Sequence, residues 1–372
     1  MKKNLVLVSL DCARADVVYG SKFPATSRLM REGTSFMNAI SSAPLTPISH
    51  ATVLTGLQPK NHGIRHLFKE KLRKGVVTIQ QLLRRQGYAT GAVVSCPGMN
   101  RWYGFGKGFD MYDDEIPRLP DGSDPLQTVD VKLRGMALKP ANVVSERSIR
   151  WLEHNAHEPF CLFAHFFDAH WPYSAPRGFG GKNDYENSLA FADFHLGRIL
   201  EKIDELGLRD DTAIICFSDH GEDLNGLYPN DKGGDARGHP EESGHGCLLY
   251  EQTQRVVLVI RDQIVQRNRQ VDAQVRLVDV FPTILELLDV GYPGRLDGES
   301  LLAPPGNKPR IAYSETLYAE ELDRAKKRFR NAKTKVSLRV DNKFKMIVSP
   351  ESGETEFYDL ENDPNELKNL AL

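Results

Sequence analysis

Cysteine is scarce in this chain and shows no pairing pattern. The 372 residues include five cysteines, an odd number, and none of them has the spacing of a zinc ribbon or a CxxC motif. A disulfide framework or a cysteine-based metal site is therefore not expected, and we predict buried free thiols in a reducing compartment. The cysteines are Cys12, Cys96, Cys161, Cys216 and Cys247.

Long apolar runs and an excess of charge are also missing. The N-terminal apolar stretch Leu5–Leu10 ends at Asp11 and is too short for a secretion signal, and no stretch approaches the ~20 apolar residues of a membrane span. Lys and Arg total 48 against 50 Asp and Glu, a net charge of −2, which gives no reason to expect a nucleic acid partner. We expect a cytoplasmic protein without a membrane anchor that acts on a small anionic ester. Nothing in the sequence specifies an oligomeric state.

Several short, continuous apolar runs alternate with amphipathic stretches of helical periodicity. Continuous apolar runs are typical of strands that are buried on both faces. The alternation predicts an α/β fold with an open, mostly parallel sheet covered by helices on both sides. The predicted strands are Leu5–Leu10, Tyr88–Ser95, Phe160–Phe167, Thr212–Ser218 and Arg255–Ile260, and the predicted helices are Val76–Arg85, Ala141–Glu153, Ser188–Leu206 and Val275–Leu288.

The pattern changes near Pro304–Pro309. The tail beyond it contains strand-like runs at Val336–Val340, Phe344–Val348 and Thr355–Tyr358. We therefore predict a catalytic domain over residues 1–305 and a small β-rich subdomain over residues 306–372 that packs on it.

Three carboxylates follow predicted strands. Asp11, Asp168 and Asp219 each come directly after an apolar run. Ligands of open α/β sheets bind beyond the carboxyl ends of the strands, so these side chains are expected to converge on one edge. Asp is also common in turns, and one such residue alone would be weak support for a site.

Asp219 is followed by His220 and Gly221. A carboxylate and an imidazole in adjacent positions can reach one ion if the backbone turns there, and glycine permits a turn. Mixed oxygen and nitrogen ligands suit Mn²⁺ or Zn²⁺ better than Ca²⁺ or Mg²⁺. The alternative interpretation of this triplet is a solvated turn.

Thr46 stands just before a predicted helix start, within Ala43–Ala51. Free backbone N–H groups and the helix dipole favour an anion at such a position. Spacing alone favours the simpler alternative, in which Thr46 or Ser49 only caps the helix.

The chain resembles the sulfatase-like branch of the alkaline phosphatase superfamily nearly from end to end. Each motif is modest alone, but their order is specific. They are Leu7–Asp11 with Arg14–Asp16, Ala43–Gly56, His62–Arg65, Gly106–Asp114, Phe167–Tyr173, Phe217–Glu222, His245–Glu251, Val278–Thr283, and Phe357–Leu360 with Asn362–Pro364.

The resemblance implies an alkaline-phosphatase-like three-layer αβα sandwich and a divalent metal site. It implies metal ligation by Asp11, Thr46, Asp219 and His220, and catalytic roles for Thr46, His170 and His245. It also implies substrate contacts by His50, His66 and Asp168, whereas His62 and His239 are expected to be structural and Arg14 to support the first loop.

One tightly held ion is expected. A second ion would need Asp168, His170 and His245, and Cys12 occupies a position where sulfatases usually carry another carboxylate ligand.

The nucleophile position departs from the sulfatase pattern. Sulfatases have Cys or Ser there, within Cys/Ser-x-Pro-Ser-Arg, and convert it to formylglycine. This chain has Thr46, with Ile48 at the proline position and His50 at the arginine position. Threonine is not a substrate for that conversion, and a metal-bound threonine alkoxide is what phosphodiesterases and phosphoglycerol transferases of the superfamily use.

We therefore predict a metal-dependent hydrolase of phosphodiesters, phosphomonoesters or phosphonate esters that acts through a phosphothreonine at Thr46. The alternatives are transfer of the phosphoryl-linked group to an alcohol, hydrolysis of a sulfuric ester, and a non-catalytic binding protein that keeps the fold. The sequence does not identify the leaving group, because substrate-binding loops vary on a common scaffold.

Overall fold

The computed structural model describes residues 2–20, 23–119, 121–127, 131–228, 231, 244–302, 309–321 and 333–371. Within these residues the strands are β1 Asn4–Leu10, β2 Thr34–Phe36, β3 Ala39–Ile40, β4 Ala89–Val93, β5 Met111–Asp113, β6 Phe160–Phe166, β7 Thr212–Phe217, β8 Arg255–Val256, β9 Leu258–Arg261, β10 Arg269–Val271, β11 Val275–Arg276, β12 Ile311–Thr316, β13 Lys335–Val340, β14 Phe344–Ser349 and β15 Glu354–Asp359.

The helices lie between the strands, as an α/β fold requires. They are α1 Ala15–Gly20, α2 Pro24–Glu32, α3 Thr46–Thr55, α4 Pro59–His62, α5 Ile79–Arg85, α6 Val131–Gly135, α7 Ala141–Asn155, α8 Asp184–Glu205, α9 Glu251–Gln254 and α10 Val280–Leu287. No helix in the described ranges is both long enough and apolar enough to cross a bilayer.

The main sheet has eight strands among the described residues, in the order β10-β2-β9-β7-β1-β6-β4-β5. All neighbours pair in parallel except β9, which runs antiparallel to β2 and β7. The prediction of an α/β fold with a mostly parallel central sheet is confirmed. β1 is in the middle, between β6 and β7, so the residues that follow these three strands meet at one edge.

Side chains of β1 enter two cores, one on each face of the sheet. Leu5 and Leu7 pack in a cluster with α3, α5 and α10, whereas Val6 and Val8 pack in a cluster with α2, α7 and α8. This double burial explains why the strand is apolar without alternation.

Among the described residues, β11, β3 and β8 form a small sheet in that order, and the tail folds into a separate antiparallel sheet of order β12-β13-β14-β15. It contacts the main domain through β12, where Ser314 donates to the carbonyl of Ser41 at 2.6 Å and the Glu315 N–H donates to the carbonyl of Ser42 at 3.0 Å. The predicted boundary between residues 305 and 306 lies outside the described residues, so the division into two domains stays a prediction.

One local prediction was wrong. The predicted helix Val275–Leu288 begins as strand β11 and a 3₁₀ turn at Leu277–Asp279, and becomes α-helical only at Val280. Several short strands were not predicted, among them β12 and β5, which lies in a stretch rich in Gly, Asp and Pro. β5 is short and pairs only with β4 at the sheet edge, so little of its stability comes from its own composition.

Candidate metal and nucleophile site

The turns after β1 and β7 bring two carboxylates together. Asp11 and Asp219 are 1% and 0% exposed. Asp219 Oδ1 accepts hydrogen bonds from the backbone N–H groups of His220 at 2.9 Å and Cys12 at 3.3 Å. Asp219 Oδ2 is buried and has no hydrogen-bond partner among the described residues.

The two acids have opposite pKa shifts. Burial alone would raise the pKa of Asp11, but a hydrogen bond with His165 and the nearby His220 ring hold it well below its usual value. Burial and the charge of Asp11 raise the pKa of Asp219 well above its usual value. A cation bound by these carboxylates would offset the repulsion between their negative charges.

His220 presents a lone pair to the nucleophile candidate. Its Nδ1 lies 3.0 Å from the carbonyl oxygen of Gly221, to which it donates, so Nε2 is the unprotonated nitrogen of the neutral ring. That Nε2 is 3.4 Å from Thr46 Oγ1 and 3.4 Å from Asp219 Oδ2. Burial, followed by the charge of His245, lowers the pKa of His220 to about 4, so the ring stays neutral.

Thr46 is the first residue of α3 rather than its cap. Leu45 occupies the N-cap position and makes no side-chain capping bond. Ser49 does not cap the helix either, because its hydroxyl donates to the carbonyl oxygen of Asp219 at 2.8 Å. The capping interpretation of both residues is therefore wrong, and the Thr46 hydroxyl faces His220 instead.

The structure does not place His50 where it could touch a substrate. The ring is completely buried; Nδ1 donates to the carbonyl of Thr46 at 2.7 Å, and Nε2 accepts from the Ser9 hydroxyl at 2.8 Å. Burial, followed by the nearby His165 ring, lowers the pKa of His50 to about 3. This position gives no support to the predicted substrate contact, because both nitrogens hold the first turn of α3 against β1.

His165, which the sequence analysis overlooked, orients the first carboxylate. It lies in β6 and is fully buried. Its Nδ1 accepts the Ser95 N–H at 3.2 Å, so Nε2 carries the proton and donates to Asp11 Oδ2 at 3.2 Å. The sequence signal for this role was a histidine inside an apolar strand, two positions before the Phe167–Tyr173 motif.

Two further histidines stand beside His220. The His245 ring lies 4.4 Å from the His220 ring and 4.9 Å from the His170 ring. Glu222, fully buried, places Oε1 3.1 Å from His245 Nδ1. Burial would lower the pKa of His245, but Glu222 outweighs it and the pKa is raised. The structure thus brings His170 and His245 to the metal and nucleophile residues.

Asp168 and His66 are engaged elsewhere. Asp168 Oδ1 accepts the N–H of Ala141 at the start of α7 at 3.1 Å, and burial raises the pKa of this acid to about 7. His66 lies between two carboxylates, with Nδ1 3.2 Å from Glu70 and Nε2 3.1 Å from Glu320. The position of His66 therefore gives no support to its predicted substrate contact. Asp168 Oδ2 is buried without a hydrogen-bond partner among the described residues, and the substrate contact of Asp168 stays a prediction.

The remaining histidine and arginine predictions concern supporting residues. His62 is buried and holds Thr52 Oγ1 at 3.2 Å and the Ile64 N–H at 3.1 Å, in agreement with a structural role. Arg14 is buried, binds Asp16 at 2.7 Å and also pairs with Asp231, so it supports the loops around the first strand. His239 lies outside the described residues.

Gly221 is needed for packing rather than for the turn proposed from sequence. A Cβ atom at this position would lie 2.0 Å from the carbonyl oxygen of Gln252, and Gly221 is not among the glycines with positive φ. Its N–H donates to the carbonyl of Thr253 at 2.9 Å, which ties the strand end to α9.

The residues present fit a divalent cation. Oxygen and nitrogen donors are supplied by Asp11, Asp219, His220 Nε2 and the Thr46 hydroxyl. Asp219 Oδ2 has no hydrogen-bond partner among the described residues, so a bound cation would balance its negative charge. Such a mixed donor set suits Mn²⁺ or Zn²⁺.

Fold and site together define an alkaline-phosphatase-like hydrolase. The family model named Sulfatase matches residues 3–290, and the model for the C-terminal part of N-sulphoglucosamine sulphohydrolase matches residues 245–371. The chain belongs to the sulfatase family, whose enzymes generally use a divalent metal ion.

Its curated relatives are distant. An arylsulfatase of Clostridium perfringens is 23% identical over 100% of this chain and 90% of its own length. The mouse steryl-sulfatase is 24% identical, and the match covers 80% of this chain and 64% of that protein, so the chain spans less than two thirds of this relative. An uncharacterized sulfatase of Escherichia coli, YidJ, is 30% identical over 54% of this chain and 37% of its own.

Solved structures share the fold over the whole chain. The phosphonate monoester hydrolase of Agrobacterium radiobacter gives a TM-score of 0.77 at 20% identity, covering 100% of this chain and 92% of its own. A protein solved with its substrate D-glucosamine-2-N,6-O-disulfate gives a TM-score of 0.76 at 18% identity, covering 100% of this chain and 94% of its own.

Proposed function

We propose that this sulfatase-family hydrolase cleaves phosphate or phosphonate esters, with the Thr46 hydroxyl as nucleophile. The observation that carries the proposal is Thr46 itself. It is the side chain at the start of α3 whose oxygen faces His220 Nε2, at 3.4 Å, and it is neither cysteine nor serine. Formylglycine is therefore not available at this position, and the nucleophile has to be an ordinary alcohol oxygen.

In this mechanism some residues hold the metal ion and others act on the reacting phosphorus group. The Asp11–Asp219 pair and His220 would hold a divalent cation, which lowers the pKa of a bound hydroxyl and offsets charge on the transferring group. Thr46 Oγ1 gives its proton to solvent and forms a bond to phosphorus while the bond from phosphorus to the departing oxygen breaks. The departing oxygen takes up a proton and leaves as the alcohol.

The second half of the reaction restores the enzyme. Water attacks the phosphothreonine, the Oγ1–phosphorus bond breaks, and Thr46 regains a proton. His170 and His245 are partly buried and lie beside the His220 ring, and this position supports a role for them next to the departing oxygen. His50 and His165 touch neither substrate nor product; they position Thr46 and Asp11 through the hydrogen bonds described above.

Hydrolysis of a sulfuric ester is the second candidate, and the names of the curated relatives favour it over phosphate esters. The phosphonate monoester hydrolase among the structural neighbours supports a phosphorus substrate, although at 20% identity it supports the fold first. Transfer to an alcohol acceptor uses the same phosphothreonine and differs only in the molecule that releases it.

A panel of nitrophenyl esters tests the proposal. The purified protein, loaded with Mn²⁺ or Zn²⁺, is offered sulfate, phosphate, phosphodiester and phosphonate esters, and products are also measured with added alcohols. We expect preference for a phosphorus ester and water as the acceptor. Preferential hydrolysis of the sulfate ester would overturn the assignment, and alcohol-linked products would establish transfer.

The nucleophile is tested by a pair of variants. Thr46→Ala should lower kcat/KM by roughly 10³-fold or more, because the covalent route is lost. Thr46→Ser keeps a hydroxyl at the same place and should retain measurable turnover. Metal content should stay close to that of the wild type in both, since two carboxylates and His220 remain. Full turnover by Thr46→Ala would remove Thr46 from the mechanism.

A further inference from the structure

A second group of donor atoms lies beside the first. Cys12 Sγ and one ring nitrogen each of His170 and His245 are all within 4.8 Å of one another. The Sγ atom is 3.7 Å from His245 Nδ1. A zinc ion with tetrahedral bonds holds a thiolate sulfur and an imidazole nitrogen roughly 3.5 Å apart. The donor atoms of this group lie within 4.8 Å of one another, so the side chains would have to move closer together to bind the ion.

The two histidines are arranged as metal-bound histidines usually are. His245 Nδ1 pairs with the buried Glu222 carboxylate at 3.1 Å, and His170 Nδ1 donates to the carbonyl of Trp171 at 2.7 Å. Each ring therefore has its Nε2 lone pair free for another partner. Glu222 Oε2 is buried without a hydrogen-bond partner among the described residues, which adds an unbalanced negative charge next to the group.

The backbone holds the Cys12 thiol in this position. Cys12 has a φ of 58°, in the left-handed region that a non-glycine residue rarely adopts, and its carbonyl accepts the Tyr185 hydroxyl at 2.7 Å. Its Sγ lies 3.1 Å from Asp11 Oδ1, between the carboxylate pair and the two histidines.

Two neighbouring residues are placed differently. Asp168, the carboxylate expected from sequence to join His170 and His245, accepts the N–H of Ala141 with Oδ1, and among the described residues it does not belong to the donor group that contains these two histidines. Cys96 lies near Asp11 and His165, but both His165 nitrogens are already occupied by the Ser95 N–H and Asp11.

We propose that Cys12, His170 and His245 form a second metal site, with Glu222 orienting His245. Binding forms a sulfur–metal bond and releases the Cys12 thiol proton to solvent, without any change of oxidation state. A thiolate with two imidazoles selects Zn²⁺ over Mn²⁺, Mg²⁺ or Ca²⁺. This second site extends the proposed function, because the ion would lie beside the departing oxygen. That role of the ion rests on the proposed function.

Cobalt substitution tests the site without measuring turnover. The full chain is stripped of metal, loaded with Co²⁺, and its absorption spectrum is recorded together with the number of ions bound. We expect a thiolate-to-cobalt charge-transfer band in the near ultraviolet for the wild type. Cys12→Ser should lose that band and bind one ion fewer, while its hydroxyl still donates towards Asp11.

Cys96→Ser is the matched control, since it makes the same change at a buried thiol on the other side of Asp11, and it should keep the band. Zinc X-ray absorption of the wild type needs no variant and should show a sulfur neighbour at about 2.3 Å. A band that persists in Cys12→Ser, or a zinc-loaded wild type with nitrogen and oxygen neighbours alone, would overturn the proposal.

The outcomes separate this site from the proposed function. Phosphorus-ester turnover by a protein that shows no sulfur–metal signal would leave the function standing and remove the second site. A sulfur–metal signal in a protein that hydrolyses none of the esters would do the reverse.

Discussion

At the scale of single residues, histidine tautomers decide what the site can do. Three neutral rings are fixed by one backbone group each: His165 by the Ser95 N–H, His50 by the Thr46 carbonyl and His220 by the Gly221 carbonyl. In His165 and His50 the other ring nitrogen is hydrogen-bonded to Asp11 and to Ser9 inside the protein. His220 keeps its lone pair for the space in front of Thr46, and it is therefore the ring that can serve as a ligand.

His165→Phe should weaken binding of the first metal ion by roughly 10–100-fold, because the ring volume stays while the hydrogen bond that orients Asp11 is lost. Isothermal titration of the stripped protein with Mn²⁺ measures this. His62→Phe is the matched control: it is an equally buried histidine with two hydrogen bonds, but it does not touch Asp11. An unchanged dissociation constant in His165→Phe would show that Asp11 needs no such support.

At the scale of elements, the site depends on how closely the end of β7 approaches α9. The turn after β7 presents Asp219 and His220, and its next residue, Gly221, packs against the backbone of Gln252. After α9 the chain returns along the sheet as β9, which pairs antiparallel with β7. The ligands are thus held by two segments that are joined through backbone contacts.

Gly221→Ala should destabilise the protein by about 1–3 kcal/mol, since its Cβ would overlap the Gln252 carbonyl and force the turn to move. Because His220 moves with that turn, metal affinity should fall as well. Thermal unfolding with and without metal measures both effects. Gly291→Ala is the control, as a Cβ there meets nothing within 4 Å. Wild-type metal affinity in Gly221→Ala would contradict the coupling.

At the scale of the whole molecule, a cluster of ion pairs joins the main domain to the C-terminal sheet. Glu251, at the start of α9, lies 3.0 Å from Arg339 and 3.2 Å from Lys345, and Lys345 also pairs with Glu366 at 2.9 Å. Burial alone would raise the pKa of Glu251, but Arg339 and Lys345 lower it to about 2. The C-terminal sheet therefore supports the segment that leads from the site residue His245 into β8.

Glu251→Gln should cost about 3 kcal/mol of stability at pH 7, because it leaves two buried cations with one partner fewer. The folded pKa of Glu251 lies below the unfolded value, so its stabilisation is present above about pH 5 and is lost as the pH falls towards 2. Denaturant unfolding at a series of pH values should therefore show the variant and the wild type converging in acid. A difference that is independent of pH would exclude ionisation of Glu251 as the cause.

The sequence by itself determined the α/β class, the central apolar strands and the placement of Asp11 and Asp219 at one sheet edge. It did so because strands buried on both faces need continuous apolar residues, and because polar side chains directly after such strands have to meet at one edge. Spacing alone favoured a helix cap for Thr46, and its role as nucleophile was implied by the resemblance to the sulfatase-like branch. The hydroxyl at position 46, which removes formylglycine from consideration, is likewise a property of the sequence.

Only the tertiary structure decided which histidines and acids face the site. His50 and His66 stand in motifs that suggested substrate contact, yet Thr46 and Ser9, and Glu70 and Glu320, occupy their ring nitrogens. One oxygen of Asp168 is bonded to the N–H of Ala141. His165 was not predicted as a site residue, and Cys12 was noted only for its position in a motif, because the contacts of both come from partners distant in sequence. β6 places His165 beside Asp11, and His245 lies beside Cys12. The direction in which a polar side chain points depends on the partners that the fold supplies, and local sequence does not contain them.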